Sequence, residues 1–226
     1  MNWKMKLFKI SNPFFLILIM SFGCKDSTSI EKSSRVVNLP FYNEATFTPN
    51  WLDVGSNAVN TFHKIPAFNL TNQLGETITQ NTFKDKIYIT DFFFTTCPGI
   101  CPKMTANMMV LQEEFLNDEE ILLLSHSVTP KIDSVSVLKA YAENKGVNNY
   151  KWHLVTGERK QIYDLGRRAY FVEEDLGEVK TEDDFLHTEN FVLIDKDRHI
   201  RGIYNGLNKT DVQQLIADVK TLKKED

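Results

Sequence analysis

A nearly unbroken apolar segment ends in a pair of cysteines near the middle of the chain. Residues 86–94 (Lys-Ile-Tyr-Ile-Thr-Asp-Phe-Phe-Phe) are rich in β-branched and aromatic side chains, which is typical of a strand buried on both faces of a sheet. The segment runs directly into Cys97 and Cys101, each followed by a proline. The sequence therefore predicts a central strand whose end carries two thiols.

Strand and helix patterns alternate along the rest of the chain. Helical spacing of apolar residues is present over residues 104–116, 134–145, 158–168 and 210–224, and extended segments over residues 121–128, 152–155, 190–195 and 199–204. Before the central strand, residues 62–68 are predicted as an edge strand because of Pro66, and residues 69–76 as a turn. This alternation predicts an α/β fold in which helices cover both faces of a sheet.

The first 23 residues have the pattern of an export signal. Lys4, Lys6 and Lys9 precede an uncharged run over residues 11–23, which is short for the roughly 20 residues of a permanent membrane helix. The run ends in Ser-Phe-Gly-Cys, which resembles the cleavage box of bacterial lipoproteins. We expect a removed signal peptide (1–23), a lipid on Cys24, and an exported domain at a bacterial cell membrane, facing the periplasm or exterior. The alternative is an uncleaved anchor in which Cys24 is a free thiol.

Composition limits the classes of function that the mature chain can have. With 42% hydrophobic residues and only three cysteines, the chain is neither disordered nor a disulfide scaffold without a core. Cleavage before Cys24 leaves 23 basic and 30 acidic residues, a net charge of −7. No block of lysine and arginine is long enough to hold a phosphate backbone, so nucleic acid is not expected as a partner.

Two segments are expected between the signal and the main domain. Residues 24–35 are polar and have no apolar period, which predicts a flexible tether. Residues 36–61 match no recognisable pattern, and we expect them to form an extra hairpin packed on the domain. The domain itself is expected to span residues 62–226.

Cys97 and Cys101 are the candidates for chemistry. If a helix began near Pro98, residues four apart would place both thiols on one face, with Cβ atoms about 5–6 Å apart. That separation suits two ligands of one soft metal ion, and with modest adjustment it also suits a disulfide. A helix N-terminus stabilises thiolate over thiol, so Cys97 is predicted to be acidic and nucleophilic.

A soft metal ion on two thiolates needs a further donor, and the histidines supply the candidates. Cu(I) commonly takes two or three soft or imidazole ligands. His187 lies between an acidic segment (173–184) and a predicted strand, where it could be aimed at a neighbouring strand end. Met104 and Met108 fit a core stripe better than a copper site. The remaining histidines are expected to be packed or solvated: His63, His126, His153 and His199.

The residues around the cysteines resemble the SCO/SenC family. The segment 91–102 is similar to the signature F-x-F-T-x-C-P-x-x-C-P, and residues 127–133 are similar to the family's S-[VI]-D-P-x-x-D segment. His187-Thr188 and the strand after them resemble its histidine-bearing loop. Thr129 departs from the family because an aspartate usually stands there. Relative to thioredoxin, a three-residue spacer between the cysteines replaces a two-residue one.

The resemblance implies a membrane-anchored protein with a thioredoxin-like fold, in which a central mixed sheet is flanked by helices. It implies copper, as Cu(I) or Cu(II), on Cys97, Cys101 and His187. The implied partners are cytochrome c oxidase subunit II, whose dinuclear copper centre receives the metal, and an upstream copper donor or thiol reductant. The alternative is a thiol:disulfide oxidoreductase that uses Cys97 and Cys101 as a redox pair. In a third, non-catalytic class, a structural adhesion or binding lipoprotein, the cysteines would be irrelevant.

Overall fold

The computed structural model describes Met1, residues 34–173 and residues 184–225. The expected signal peptide, Cys24, most of the tether and most of the acidic segment lie outside the described residues. Among the helices of the described part, none is long and apolar enough to cross a membrane.

The described residues contain one mixed seven-stranded sheet with the order β2-β1-β5-β4-β3-β6-β7. β3 pairs in parallel with β4, and β4 pairs in parallel with β5, while the other neighbours are antiparallel. β3 therefore lies inside the sheet, as the sequence predicts. The strands are β1 (Asn69–Asn72), β2 (Thr77–Thr79), β3 (Ile87–Phe93), β4 (Ile121–Ser127), β5 (Trp152–Thr156), β6 (Asn190–Ile194) and β7 (Ile200–Asn205).

Helices lie along both faces of the sheet. α2 carries Met104 and Met108, both fully buried as the predicted core stripe requires. Ser134 caps α3 by accepting a hydrogen bond from the Val137 N–H, and Gly146 ends it in a left-handed conformation that suits glycine. The helices are α1 (Asn57–Asn60), α2 (Cys101–Glu114), α3 (Val135–Lys145), α4 (Arg159–Asp164) and α5 (Lys209–Leu222), with a 3₁₀ turn at Gln80–Phe83 and a π-helical turn at Leu165–Ala169.

The alternation of side chains along β3 divides the interior into two cores. Ile89 and Phe93 pack with α2 and α5 on one face, whereas Tyr88 and Phe92 pack with the π-helical turn and its neighbours on the other. Since successive side chains of a strand point to opposite faces, Asp91 belongs to the face that carries α2. The end of β3 is thereby fixed from both sides.

The predicted edge strand is displaced along the chain. Residues 62–68 are not in a strand, and the expected turn at 69–76 instead contains β1, a tight turn and β2. Pro66 has no N–H to contribute to a ladder, so this stretch adds Ile65 and Phe68 to the core from irregular backbone. The strand begins at Asn69, and its buried residues Leu70 and Asn72 alternate with the exposed Asn69 and the half-buried Thr71.

Residues 36–61 do not form the regular hairpin that we expected. One antiparallel bridge joins Phe41 to Asn50 through two hydrogen bonds of 2.8 Å, and α1 follows. The segment is held to the domain by Arg201, whose guanidinium donates to the carbonyl oxygens of Leu39 (2.7 Å) and Pro40 (3.1 Å). Leu39 and Phe41 are buried, so the extension contributes to the interior without a ladder of its own.

Candidate metal centre

Cys97 and Cys101 lie together where β3 ends, but only Cys101 is helical. α2 begins at Cys101 with Ile100 as its N-cap and Pro102 in its first turn, so the expected helix start near Pro98 is wrong. Both cysteines precede a proline, which disfavours the α region for each, yet Cys101 has helical backbone. Cys97 lies in the loop that approaches the helix N-terminus, and its N–H donates to the Phe94 carbonyl at 3.3 Å.

The two thiols are free and differ in their environment. Cys97 is half-buried and Cys101 is buried. Partial burial acts to raise the pKa of Cys97, but a hydrogen bond from the Cys101 thiol and the backbone N–H groups of Gly99, Ile100 and Cys101 outweigh it, so the pKa is lowered. Burial, helped by the bond to Cys97, raises the pKa of Cys101 to about 12. The pair therefore has one acidic, accessible sulfur and one protonated, enclosed sulfur.

A buried carboxylate fixes the loop that leads to Cys97. Asp133 is fully buried and accepts hydrogen bonds from the Thr95 N–H (3.2 Å) and the Thr95 hydroxyl (2.5 Å). It also accepts from the hydroxyls of Ser127 (2.6 Å) and Thr129 (3.0 Å). These bonds tie the Cys97 loop to the end of β4. Thr129, which stands where the family usually has an aspartate, thus donates to Asp133. An aspartate at position 129 would instead place a second carboxylate beside Asp133.

A second carboxyl group lies within the sheet on the α2 face. Asp91 is 2% exposed and accepts a hydrogen bond from the Ser125 hydroxyl, which in turn accepts from the Trp152 indole N–H at 2.8 Å. Burial raises the pKa of Asp91 to about 7, against the lowering effect of the Ser125 bond. The charge of Asp91, when present, helps to raise the pKa of Cys101, so this carboxyl group influences the enclosed sulfur.

His187 is exposed and lies on a loop whose neighbouring residues are buried. Leu186 is 2% exposed and Thr188 is 8% exposed. The imidazole contacts the Phe185 ring, with centroids 4.8 Å apart, and Phe185 contacts Phe94 with centroids 5.3 Å apart. The Phe94 carbonyl accepts the Cys97 N–H. Phe185 and Phe94 thus connect the histidine loop to the cysteine loop.

Among the residues that the structure describes, the two cysteines lie together but no third donor lies with them. Within residues 34–173 and 184–225, no three His, Cys, Asp or Glu side chains are close enough to hold one metal ion. A site that includes His187 would therefore need its imidazole to move toward the thiols.

The other four histidines are engaged elsewhere. The His126 ring stacks on Phe92 with centroids 4.6 Å apart, and burial lowers its pKa to about 3. His63 contacts the Ala169 carbonyl at 2.7 Å, and His199 contacts the His63 carbonyl at 2.9 Å. His153 lies 3.4 Å from the Asn72 amide nitrogen. Each is held by packing and hydrogen bonds away from the cysteine loop.

Two features near the site escaped the sequence-based prediction. Asp91 is the only ionisable carboxyl group within β3, and a carboxylate in an otherwise apolar strand is a signal that could have singled it out. Arg167 and Glu173 form an ion pair of 2.9 Å beside the histidine loop. Their positions in sequence, one in a predicted helix and one in an acidic stretch, give no such signal.

The comparisons with known proteins agree with this geometry. The SCO1/SenC family matches residues 57–224. A SCO1/SenC family lipoprotein from Bacillus anthracis is 28% identical, with a TM-score of 0.63 over 71% of this chain and 95% of that one. BsSco, a member of the Sco family of cytochrome c oxidase assembly proteins in which a disulfide switch was identified, is 28% identical, with a TM-score of 0.60 over 71% and 93%.

A copper-bound structure is also among the similar proteins. Bradyrhizobium japonicum ScoI with copper bound is 25% identical, with a TM-score of 0.55 over 70% of this chain and 98% of that one. These likenesses and the mixed, helix-covered sheet confirm the predicted thioredoxin-like fold. The family match covers well over half of the sequence, and the chain belongs to the SCO1/SenC family.

Proposed function

We propose that this chain is a membrane-tethered copper chaperone that binds copper through Cys97, Cys101 and His187. It would deliver the metal to the dinuclear copper site of cytochrome c oxidase subunit II during assembly. The observation that carries the proposal is the pair of free, hydrogen-bonded thiols at the end of β3, with the pKa of Cys97 lowered. The copper in ScoI and the role of BsSco in oxidase assembly support it.

The chemistry of the two sulfurs fits copper. Thiolates are soft ligands that favour Cu(I) over the hard divalent cations. Cys97 is the readier ligand because its pKa is lowered, whereas Cys101 must lose a proton from a thiol whose pKa is about 12. Metal binding releases such protons, so copper affinity should rise with pH.

His187 would complete the site as the third donor. Its imidazole is exposed, so no buried packing has to be broken for the ring to leave Phe185 and approach the sulfurs. A site of two thiolates and one imidazole suits Cu(I), and Cu(II) could add an oxygen donor.

Delivery would proceed by exchange of ligands with the partner. Cys97 is half-buried while Cys101 is enclosed, so an incoming cysteine or histidine of the oxidase subunit would reach the metal from the Cys97 side. A lipid on Cys24 and the tether at 24–35 would hold the domain near the membrane in which the oxidase is assembled. An upstream copper donor or thiol reductant would reload the site.

Copper stoichiometry of the full-length chain in mild detergent tests the proposal. The reduced chain should bind one equivalent of Cu(I) in competition with a chromophoric chelator. Cys97→Ser and Cys101→Ser should each abolish stoichiometric binding, and His187→Ala should strongly weaken Cu(II) binding. His63→Gln, which removes a histidine outside the site, is the matched control. Wild-type copper content in all three site variants would refute the proposal.

A second function uses the same sulfurs. The difference between an acidic Cys97 and an enclosed Cys101 is what a thiol:disulfide reductant needs, and BsSco has a disulfide switch. The Cys97 thiolate would attack a partner disulfide, whose S–S bond breaks, and form a mixed disulfide while the other partner sulfur leaves as a thiolate. The Cys101 thiolate, once its proton is lost, would displace the reduced partner thiol and leave a Cys97–Cys101 disulfide.

The two functions differ in their need for His187. Copper delivery requires it, whereas thiol exchange does not. Oxidase assembly in cells that express His187→Ala therefore separates them. Loss of assembly with normal thiol exchange supports copper delivery, and full assembly supports the redox function.

A further inference from the structure

The loop that carries His187 packs closely on the π-helical turn Leu165–Ala169. Gly166 makes this contact possible: a Cβ atom there would lie 2.5 Å from Cδ1 of Leu186 and 3.1 Å from Cε1 of Phe92. Leu186, the residue before His187, is 2% exposed as a result. Single π-helical turns are frequent at functional sites, and here the turn that follows α4 supports the histidine loop.

One ion pair holds the main chain of this loop at two points. Glu173 accepts the His187 N–H through Oε1 at 3.0 Å and the Arg167 Nε–H through Oε2 at 2.9 Å. Arg167 also donates from Nη2 to the Asp184 carbonyl at 2.8 Å. The Arg167 and Glu173 side chains are 17% and 7% exposed, so water competes little for the bond between them, whereas their bonds to His187 and Asp184 reach exposed residues.

The other side of His187 is fixed as well. The Thr188 hydroxyl donates to the Val172 carbonyl at 2.6 Å and accepts the Asn190 N–H at 3.0 Å. The main chain on both sides of His187 is therefore held, while the imidazole itself is exposed and contacts only the Phe185 ring among the ring contacts of the described residues. The side chain can rotate without any rearrangement of the main chain.

We propose that Arg167 and Glu173 are positioning residues for the third copper ligand, an inference that rests on the proposed function. By fixing the His187 main chain before metal arrives, the pair leaves less of the loop to be ordered on binding. A loop that had to be ordered at the same moment would lose more conformational entropy and bind more weakly. The pair acts through His187, as outer groups that orient a ligand do at other metal sites.

Glu173→Ala in the full-length chain tests the inference with two readouts. In the metal-free protein, exchange of the His187 amide hydrogen should become faster, because its acceptor is gone. In the copper-loaded protein, the Cu(II) affinity should fall about tenfold or more, the range found for outer groups at metal sites. The Cu(II) spectrum should at the same time change toward that of His187→Ala.

Further variants separate positioning from general damage. Glu173→Gln keeps the shape of the side chain and an acceptor for the His187 N–H but weakens the ion pair. It should therefore lose less Cu(II) affinity than Glu173→Ala. It also tests the inference if the alanine variant folds poorly. Asp164→Ala is the matched control. It removes exposed ion pairs with Lys160 and Arg168 on the adjoining turn, and should leave Cu(II) affinity within about twofold of the wild type.

The double variant with His187→Ala decides the result. Once the imidazole is absent, Glu173→Ala should have no further effect on Cu(II) affinity. An equal loss with and without His187 would show that Glu173 acts on the whole domain and would overturn the inference. The inference would also be overturned if Glu173→Ala had unchanged or increased Cu(II) affinity while His187→Ala alone bound Cu(II) more weakly than the wild type. Wild-type Cu(II) affinity in His187→Ala would instead refute the proposed three-ligand site, and the inference with it.

Discussion

The carboxylate of Asp133 accepts hydrogen bonds from both the backbone N–H and the hydroxyl of Thr95, two residues before Cys97. Asp133 and Thr95 are 38 positions apart in sequence. Since Asp133 is fully buried and Thr95 is half-buried, the carboxylate end of this link between the end of β4 and the Cys97 loop is shielded from water.

Thr95→Val should destabilise the domain because it removes a hydroxyl donor from a buried carboxylate while keeping the shape of the side chain. We expect the free energy of unfolding to fall by about 1.5–3 kcal/mol, the usual contribution of a hydrogen bond to a charged group. Urea unfolding of the metal-free chain measures it. Thr96→Val, at the exposed neighbouring position, should change stability by less than about 0.5 kcal/mol. Equal effects of the two variants would contradict this role of Asp133.

Asp91→Asn should change how stability depends on pH. Burial raises the pKa of Asp91 from 3.8 to about 7, so between these values the folded chain keeps a proton that the unfolded chain has lost. The wild type should therefore lose stability relative to Asp91→Asn as pH rises from about 4 to about 7, by roughly 4 kcal/mol in total. Above pH 7 the difference should level off.

Unfolding free energies of both proteins at pH 4 to 8 measure this difference. Subtracting the two curves removes the contributions of other buried groups, such as His126, whose lowered pKa acts in the opposite direction. Parallel curves for wild type and Asp91→Asn would show that Asp91 is already ionised in the folded chain at pH 4.

The two cysteines should differ in their rates of alkylation. Cys97 in a Cys101→Ser variant should react with iodoacetamide at neutral pH, because it is partly exposed and its pKa is lowered. Cys101 in a Cys97→Ser variant should react more slowly by a factor of roughly ten or more, since it is buried and its pKa is raised. Equal rates in the native variants would contradict this order, and equal rates after unfolding are the control.

Arg201→Met should destabilise the domain and release the N-terminal extension. Arg201 is 3% exposed and pairs with Asp195 at 3.3 Å and with Glu225 at 2.6 Å. Removing it leaves two carboxylates without their cation, a change that costs about 3–5 kcal/mol in buried pairs. Calorimetry and exchange of the Leu39 amide hydrogen, which bonds to Glu225 at 2.6 Å, measure the two effects.

The matched control for Arg201 is an exposed ion pair. Lys160→Met breaks the bond to Asp164, whose side chain is 40% exposed, and should change stability by no more than about 0.5 kcal/mol. A loss in Arg201→Met no larger than in this control would mean that the buried pairs do not hold the extension.

The sequence predicted the elements that depend on local periodicity. β3, β4 and β6 follow their apolar runs, and α3 and α5 follow their helical spacing, within a few residues of the expected limits. In each case burial on one or both faces leaves a pattern in consecutive residues. The family signature added the identity of the cysteine loop, which periodicity alone could not supply.

The errors arose where backbone geometry outweighed spacing. Cys97 and Cys101 are four residues apart, yet α2 begins only at Cys101 and leaves Cys97 in the preceding loop. Pro66 likewise suggested an edge strand, but the ladder begins only at Asn69. The links Asp133–Thr95 and Glu173–His187 join residues that are 38 and 14 positions apart, and such contacts leave no local pattern.

X-ray absorption of the Cu(I)-loaded, full-length chain tests the central claim most directly. If Cys97, Cys101 and His187 hold one copper ion, the wild type should show two sulfur neighbours and one nitrogen neighbour at the metal, and His187→Ala should lose the nitrogen while keeping both sulfurs. The same spectrum for wild type and His187→Ala would contradict the claim, since the imidazole would then take no part in holding copper.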